Sequence, residues 1–141
     1  NYRSGTPATP LIVSTAKALR LVYENLEEEK IKYLNEKIKE NIQKYPNVII
    51  NSTQNSIPHI LNFSVLNIKP ETFMHSLEKD EVYISTQSAC AKGNYSEAVL
   101  ALTNNKEISS HSLRISISKK TTEEEIDIFL KAFERSIKEL S

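Results

Sequence analysis

Leu113-Arg114-Ile115-Ser116-Ile117-Ser118-Lys119-Lys120-Thr121-Thr122-Glu123-Glu124-Glu125-Ile126 carries a strand, a turn and a helix start in one run. Leu113, Ile115 and Ile117 alternate with Arg114, Ser116 and Ser118, so a strand here buries one face and turns the other away. Thr122 with Glu125, or Thr121 with Glu124, has the spacing of a capping box. A helix from there shows its apolar stripe at Ile126, Phe129, Phe133, Ile137 and Leu140.

The same two periodicities recur upstream. After the turn-like Ser4-Gly5-Thr6-Pro7, an amphipathic stretch runs from near Pro10 toward Tyr45 and ends at Pro46-Asn47. Ile31, Leu34, Ile38, Ile42 and Tyr45 make its second half helical, and Glu27-Glu28-Glu29 marks a kink or a change of buried face. Val48-Ile49-Ile50 reads as a short strand. Leu61, Phe63 and Val65 alternate with polar neighbours in a second one, residues 59–65. Pro70 suits the first turn of a helix with Phe73, Met74 and Leu77 inward. Val82-Tyr83-Ile84 reads as a further strand, and Ser96 caps a short helix through Val99 and Leu102. Helix, two strands, helix, strand, small helix, strand, helix is the order of an α+β domain. It has two layers: a short, mostly antiparallel sheet with helices packed on one face.

The chain has 141 residues, 39% of them hydrophobic, enough for one core and one domain. Eighteen basic residues balance eighteen acidic ones, which leaves no basic footprint for nucleic acid or a membrane surface. No apolar run reaches the length of a membrane span. The single cysteine has no disulfide partner within the chain, and a reducing cytoplasm suits it. The chain opens on Asn1-Tyr2-Arg3 without an initiator methionine, which reads as a piece of a longer protein.

Three places can carry chemistry. Cys90 lies between a strand and a helix in the small, polar loop Ser85-Thr86-Gln87-Ser88-Ala89-Cys90-Ala91-Lys92-Gly93-Asn94, where backbone N–H groups and Lys92 favour a thiolate. The competing reading is a small buried hydrophobe. Arg114 points away from the apolar face of its strand. A guanidinium flanked by Ser112 and Ser116 suits a bidentate grip on a carboxylate. A solvent-facing arginine on an open sheet is the plainer alternative. Arg3-Ser4-Gly5-Thr6, ahead of a helix, has the donors to hold a phosphate through backbone N–H groups and the Thr6 hydroxyl. His59, His75 and His111 show no metal-ligand spacing, so no metal site is expected.

Together these pieces resemble the C-terminal part of cysteine desulfurases of the NifS/IscS type. The matching residues are Arg3-Ser4-Gly5-Thr6-Pro7, Pro58-His59-Ile60-Leu61-Asn62-Phe63-Ser64, Ser85-Thr86-Gln87-Ser88-Ala89-Cys90, Ser112-Leu113-Arg114-Ile115-Ser116 and Thr121-Thr122-Glu123-Glu124-Glu125-Ile126, in the family's order. The resemblance implies the small domain of a fold-type I, aminotransferase class V-like enzyme, with residues 1–141 as that domain and the large cofactor domain outside this chain. It implies a homodimer that uses pyridoxal 5'-phosphate to turn L-cysteine into L-alanine. Cys90 would be the nucleophile that holds the sulfur as a persulfide for an acceptor protein in iron–sulfur cluster assembly or tRNA thiolation. Arg114 would bind the substrate carboxylate, and Thr6 would reach the cofactor phosphate of the neighbouring subunit.

None of the lysines here stands in the family's Ser-x-His-Lys setting, so the chain alone is expected to be inactive. The stretch after Cys90 is also shorter than in the long-loop members, which leaves room for a dedicated sulfur acceptor. The alternative from another class is a stand-alone, non-enzymatic persulfide carrier. A third reading is a structural domain with an inert Cys90.

Overall fold

A computed structural model describes residues 5–24, 27–86 and 95–141. The elements run α1 (Thr9–Glu24), α2 (Glu28–Ile42), β1 (Val48–Ile50), β2 (Ile60–Val65), α3 (Pro70–Glu78), α4 (Glu97–Thr103), α5 (Lys106–Ser110), β3 (Ser112–Ser116) and α6 (Glu123–Leu140). The sheet is antiparallel throughout, in the order β1-β2-β3. Its register pairs Val48 with Val65 and Ile50 with Phe63 on one side, and Leu61 with Ile115 and Phe63 with Leu113 on the other. Directly opposed residues share a face. Leu61, Phe63, Val65, Leu113 and Ile115 therefore project together, and α2, α3 and α6 cover them.

The core is built from the stripes that the helical spacing foretells. Ile31, Leu34, Ile38 and Ile42 of α2 and Ile126, Phe129, Phe133 and Ile137 of α6 are buried. Phe133 sits at the centre, 1% exposed, with ring centroids of Phe73, Tyr45, Phe129 and Phe63 at 5.2, 5.6, 5.7 and 6.0 Å. Such tilted and edge-on arrangements suit the aromatic quadrupole. The start of α6 is the Thr122/Glu125 form of the capping box. The Glu125 N–H donates to Thr122 Oγ1 at 3.2 Å, and the Thr122 N–H donates to Glu125 Oε2 at 2.8 Å.

Polar ties lock α6 to its neighbours. Arg135 donates to Asp80 Oδ2 through Nε and Nη2, at 3.1 and 2.7 Å, and to the Ser76 carbonyl at 2.6 Å. Lys37 of α2 meets Glu123 at 2.8 Å and Asp127 at 2.7 Å.

The α+β architecture is as the pattern foretells, with three differences of detail. The amphipathic stretch before Tyr45 is two helices, and α1 has no buried residue at all. Val82-Tyr83-Ile84 is not a strand. Glu81, at φ 58°, turns the chain, and among the described residues only Ser85 reaches the free edge of β3, in a single antiparallel bridge to Arg114. Val82 and Ile84 still pack against the core from that position. The periodicity also gives no sign of α5, a helix of five residues capped by the Asn105 side chain.

Candidate functional site

The face of the sheet away from the core carries the polar residues of the alternating strands. Asn62 of β2 lies opposite Arg114 of β3, and Ser64 lies opposite Ser112. Asn51 follows β1 and receives its own ladder bond, its N–H donating to the Asn62 carbonyl at 2.9 Å. Asn51, Asn62 and Arg114 thus form one row across the sheet. The short helix α5 crosses this face at Ser64, whose hydroxyl donates to the Ile108 carbonyl at 2.7 Å. Beside the row, a cleft of about 330 Å³ is lined by Asn51, Ser52, Asn62 and the Ala98, Val99 and Leu102 side of α4.

Arg114 is half-buried. Its main chain is fixed twice to Ser85: the Arg114 N–H donates at 2.7 Å and its carbonyl accepts at 3.1 Å. Its Nε is buried without a hydrogen-bond partner among the described residues, as are Asn51 Oδ1 and Ser112 Oγ on the same face. Buried donors and acceptors in folded proteins are nearly always paired, because an unpaired one forfeits its hydration. Three such atoms on one face leave donors and acceptors open there.

Cys90 lies outside the described residues, within 87–94. Both approaches to that segment are anchored. On one side Ser85 is bridged to Arg114. On the other, the Ser96 N–H donates to the Ser109 carbonyl at 3.1 Å, and Ser109 Oγ donates to the Ser96 carbonyl at 2.6 Å. The segment that contains Cys90 therefore departs from the residue paired with Arg114. Thr6 is elsewhere: it is exposed and precedes α1, a helix that buries nothing against the sheet. Gly5 before it has φ 124°, a conformation that glycine adopts without strain, with open space where a Cβ would be.

His75 Nδ1 lies 2.8 Å from Glu78 Oε2, and His111 Nδ1 lies 2.8 Å from the Glu107 carbonyl, both local helix contacts. The shifted ionisable groups belong to the surface ties rather than to this face. Hydrogen bonds donated by Lys37 and then Tyr33 hold the Glu123 carboxyl below its ordinary value, and the hydrogen bonds that Lys37 donates to Asp127 and Glu123 raise its own.

Sequence reasoning singled out Arg114 from its alternation but missed Asn51 and Asn62. Their place beside it depends on the register between strands, which no single strand reveals.

The aminotransferase class-V family profile matches residues 1–129. A NifS/IcsS protein homolog of Lactobacillus delbrueckii subsp. bulgaricus is 40% identical over 141 residues, covering 94% of this chain and 36% of that protein. The cysteine desulfurase IscS of Clostridium botulinum is 33% identical over 145 residues, with 97% and 36% covered. Among solved structures, a NifS-like protein superposes with a TM-score of 0.80 at 30% identity, covering 98% of this chain and 36% of the other. The NifS-like protein of Rickettsia africae gives 0.76 at 27% identity, with 96% and 36% covered. This chain thus spans about a third of the length of the relatives it matches, and the NifS/IscS resemblance of its motifs is borne out. By a family match that takes in nearly all its residues and a fold shared with these proteins, the chain belongs to the aminotransferase class-V family.

Proposed function

We propose that residues 1–141 form the small domain of a longer, homodimeric cysteine desulfurase, one that converts L-cysteine to L-alanine in a reducing cytoplasm and passes the sulfur to an acceptor protein. The observation that carries this reading is the Arg114 guanidinium, a cation whose buried Nε–H has no partner among the described residues, on a strand bridged to the Ser85 end of the Cys90 segment. A planar fork of donors is what a substrate carboxylate requires. The exposed apolar residues of α1, among them Leu11, Ile12, Val13 and Val22, add support, since so much uncovered apolar surface fits a chain that packs against more protein.

The family's cofactor is pyridoxal phosphate, and the residues present fit its phosphate end. Thr6 offers a hydroxyl with no partner among the described residues, beside a glycine turn and ahead of the first turn of α1. When bound, the cofactor supplies an electron sink for chemistry at the amino-acid carbons. The imine-forming lysine belongs, in this reading, to the rest of the longer protein, and the present chain by itself does not turn over cysteine.

The tasks left to this chain are binding and sulfur capture. Arg114 fixes the substrate carboxylate and so sets where its thiol lies. The Cys90 thiolate attacks that sulfur. A new S–S bond forms at Cys90 Sγ as the substrate Cβ–S bond breaks, and the three-carbon product leaves as alanine with the protons that cysteine and Cys90 brought. The sulfur stays as a Cys90 persulfide until an acceptor thiolate takes it, in iron–sulfur cluster assembly or tRNA thiolation.

The test uses the complete encoded protein. L-Cysteine should yield alanine, and without reductant the Cys90 peptide should gain one sulfur by mass spectrometry. Arg114→Lys should lower kcat/KM roughly 10- to 150-fold, the worth of a charge-assisted pair of about 1.5–3 kcal/mol. Absence of alanine formation, or full turnover by Cys90→Ser, would overturn the reading.

A further inference from the structure

The polar face carries a hydrogen-bond relay whose direction can be deduced without seeing a hydrogen. A serine hydroxyl has one proton, and Ser64 gives its own to the Ile108 carbonyl. Toward Asn51, 2.8 Å away, Ser64 Oγ can only accept, so the amide atom that faces it is the NH₂ group. The second proton of the same Asn51 Nδ2 goes to Asn62, also at 2.8 Å. The Asn62 atom on that side is therefore its oxygen, and its NH₂ is turned away from β1. That Nδ2 meets no partner among the described residues, and Asn62 stands opposite Arg114 in the β2–β3 register. A main-chain carbonyl of α5 thus sets the orientation of an amide beside the arginine.

We propose that Asn62 is a second substrate-contacting residue, its Nδ2 donating to the same carboxylate that Arg114 grips. Asn51 and Ser64 are positioning residues that keep the donor side of the amide outward. The inference rests on the reading of Arg114 given above. Its chemistry is complementary to that reading: a carboxylate has about four lone-pair sites and a bidentate arginine fills two, which leaves acceptors for a neighbouring N–H. The ligand class is an α-amino acid whose carboxylate lies over the Asn62–Arg114 pair.

The experiment compares Asn62→Ala, Asn62→Asp and Asn51→Asp with Arg114→Lys in the full-length enzyme, reading kcat and KM for L-cysteine together with thermal midpoints. Asn62→Ala removes the donor and should raise KM roughly 10-fold with kcat little changed. Asn62→Asp replaces it with a like charge and should raise KM further. Asn51→Asp can only accept, so it turns the intact Asn62 amide around and should raise KM although Asn62 is untouched. If Arg114→Lys impairs the enzyme while both Asn62 variants keep the parental KM, this inference falls and the Arg114 reading stands. If Arg114→Lys is harmless as well, the carboxylate reading of the whole face fails. A lowered thermal midpoint in Asn62→Ala with an unchanged KM would give the amide to a protein contact and also overturn the proposal.

Discussion

Arg114→Met is the substitution in which function and stability should move in opposite directions. Arg114 is half-buried on the polar face, and its Nε is sealed from solvent with no acceptor among the described residues. Leaving a buried donor unsatisfied costs about 1–3 kcal/mol, and more for a charged group. Methionine keeps the unbranched stem that packs along the sheet and deletes the orphan donor. The two bonds to Ser85 are main-chain and survive the change. The variant chain should therefore be more stable by about 1–3 kcal/mol, a rise in Tm of roughly 3–10 °C for a domain of this size. Calorimetry of the 141-residue chain reads the Tm, and urea unfolding with an unchanged m-value checks that the native state has not loosened. A Tm that stays level or falls would refute the reasoning, because the guanidinium would then be making a stabilising contact instead of waiting for one.

Two further predictions probe the other side of the molecule. Phe133→Ala empties the ring cluster that joins α6 to β2, α3 and Tyr45, and should destabilise the chain by about 3–5 kcal/mol, read as a large drop in urea midpoint. Lys37→Met should lower the Tm at pH 7, with an effect that shrinks as the pH falls through the folded value of Glu123. The Glu123 carboxyl is depressed by Lys37 and Tyr33, so its contribution is present above the unfolded value of about 4.3 and disappears as the pH falls through the folded one. The raised Lys37 adds no acid limb, because its share is complete at every pH below its unfolded value and is lost only in strong alkali.

The elements with several turns or clean alternation were legible in the sequence. The α6 stripe, the box at Thr122 and Glu125, the Ser96 cap and the alternation of Leu113 to Ile117 all state a local rule and obey it. What stayed hidden depends on partners distant along the chain. Leu11, Ile12 and Val13 look like core residues, and periodicity reports that a face needs cover without reporting what covers it. Tyr83 and its neighbours have strand composition, but pairing needs an edge within reach, and among the described residues the turn at Glu81 brings only Ser85 to it. The helix α5 is too short for a period, and its one signal is the Asn105 cap. Asn62 carries no local signal of its own, because its meaning comes from Asn51 on one neighbouring stretch, Arg114 on another and Ser64 two residues along its own strand.

The sheet divides its labour between its two faces, and the division explains how the domain tolerates, on the proposed site, three buried atoms unpaired among the described residues. Leu61, Phe63, Val65, Leu113 and Ile115 supply packing on one side, where every residue is apolar and covered by α2, α3 or α6. Arg114, Asn62, Asn51 and Ser112 alternate with them on the other, so each strand alternates between the residues that hold the fold and those of the proposed binding surface. A one-residue slip of β3 against β2 would exchange the two sets, burying the guanidinium in the core and turning Leu113 and Ile115 outward. The register is accordingly fixed by the hydrophobic face, and the hydrophobic face thereby fixes where Arg114 stands. Precision at the polar face is inherited from packing on the reverse side, and the helices that never touch the site are what aim it.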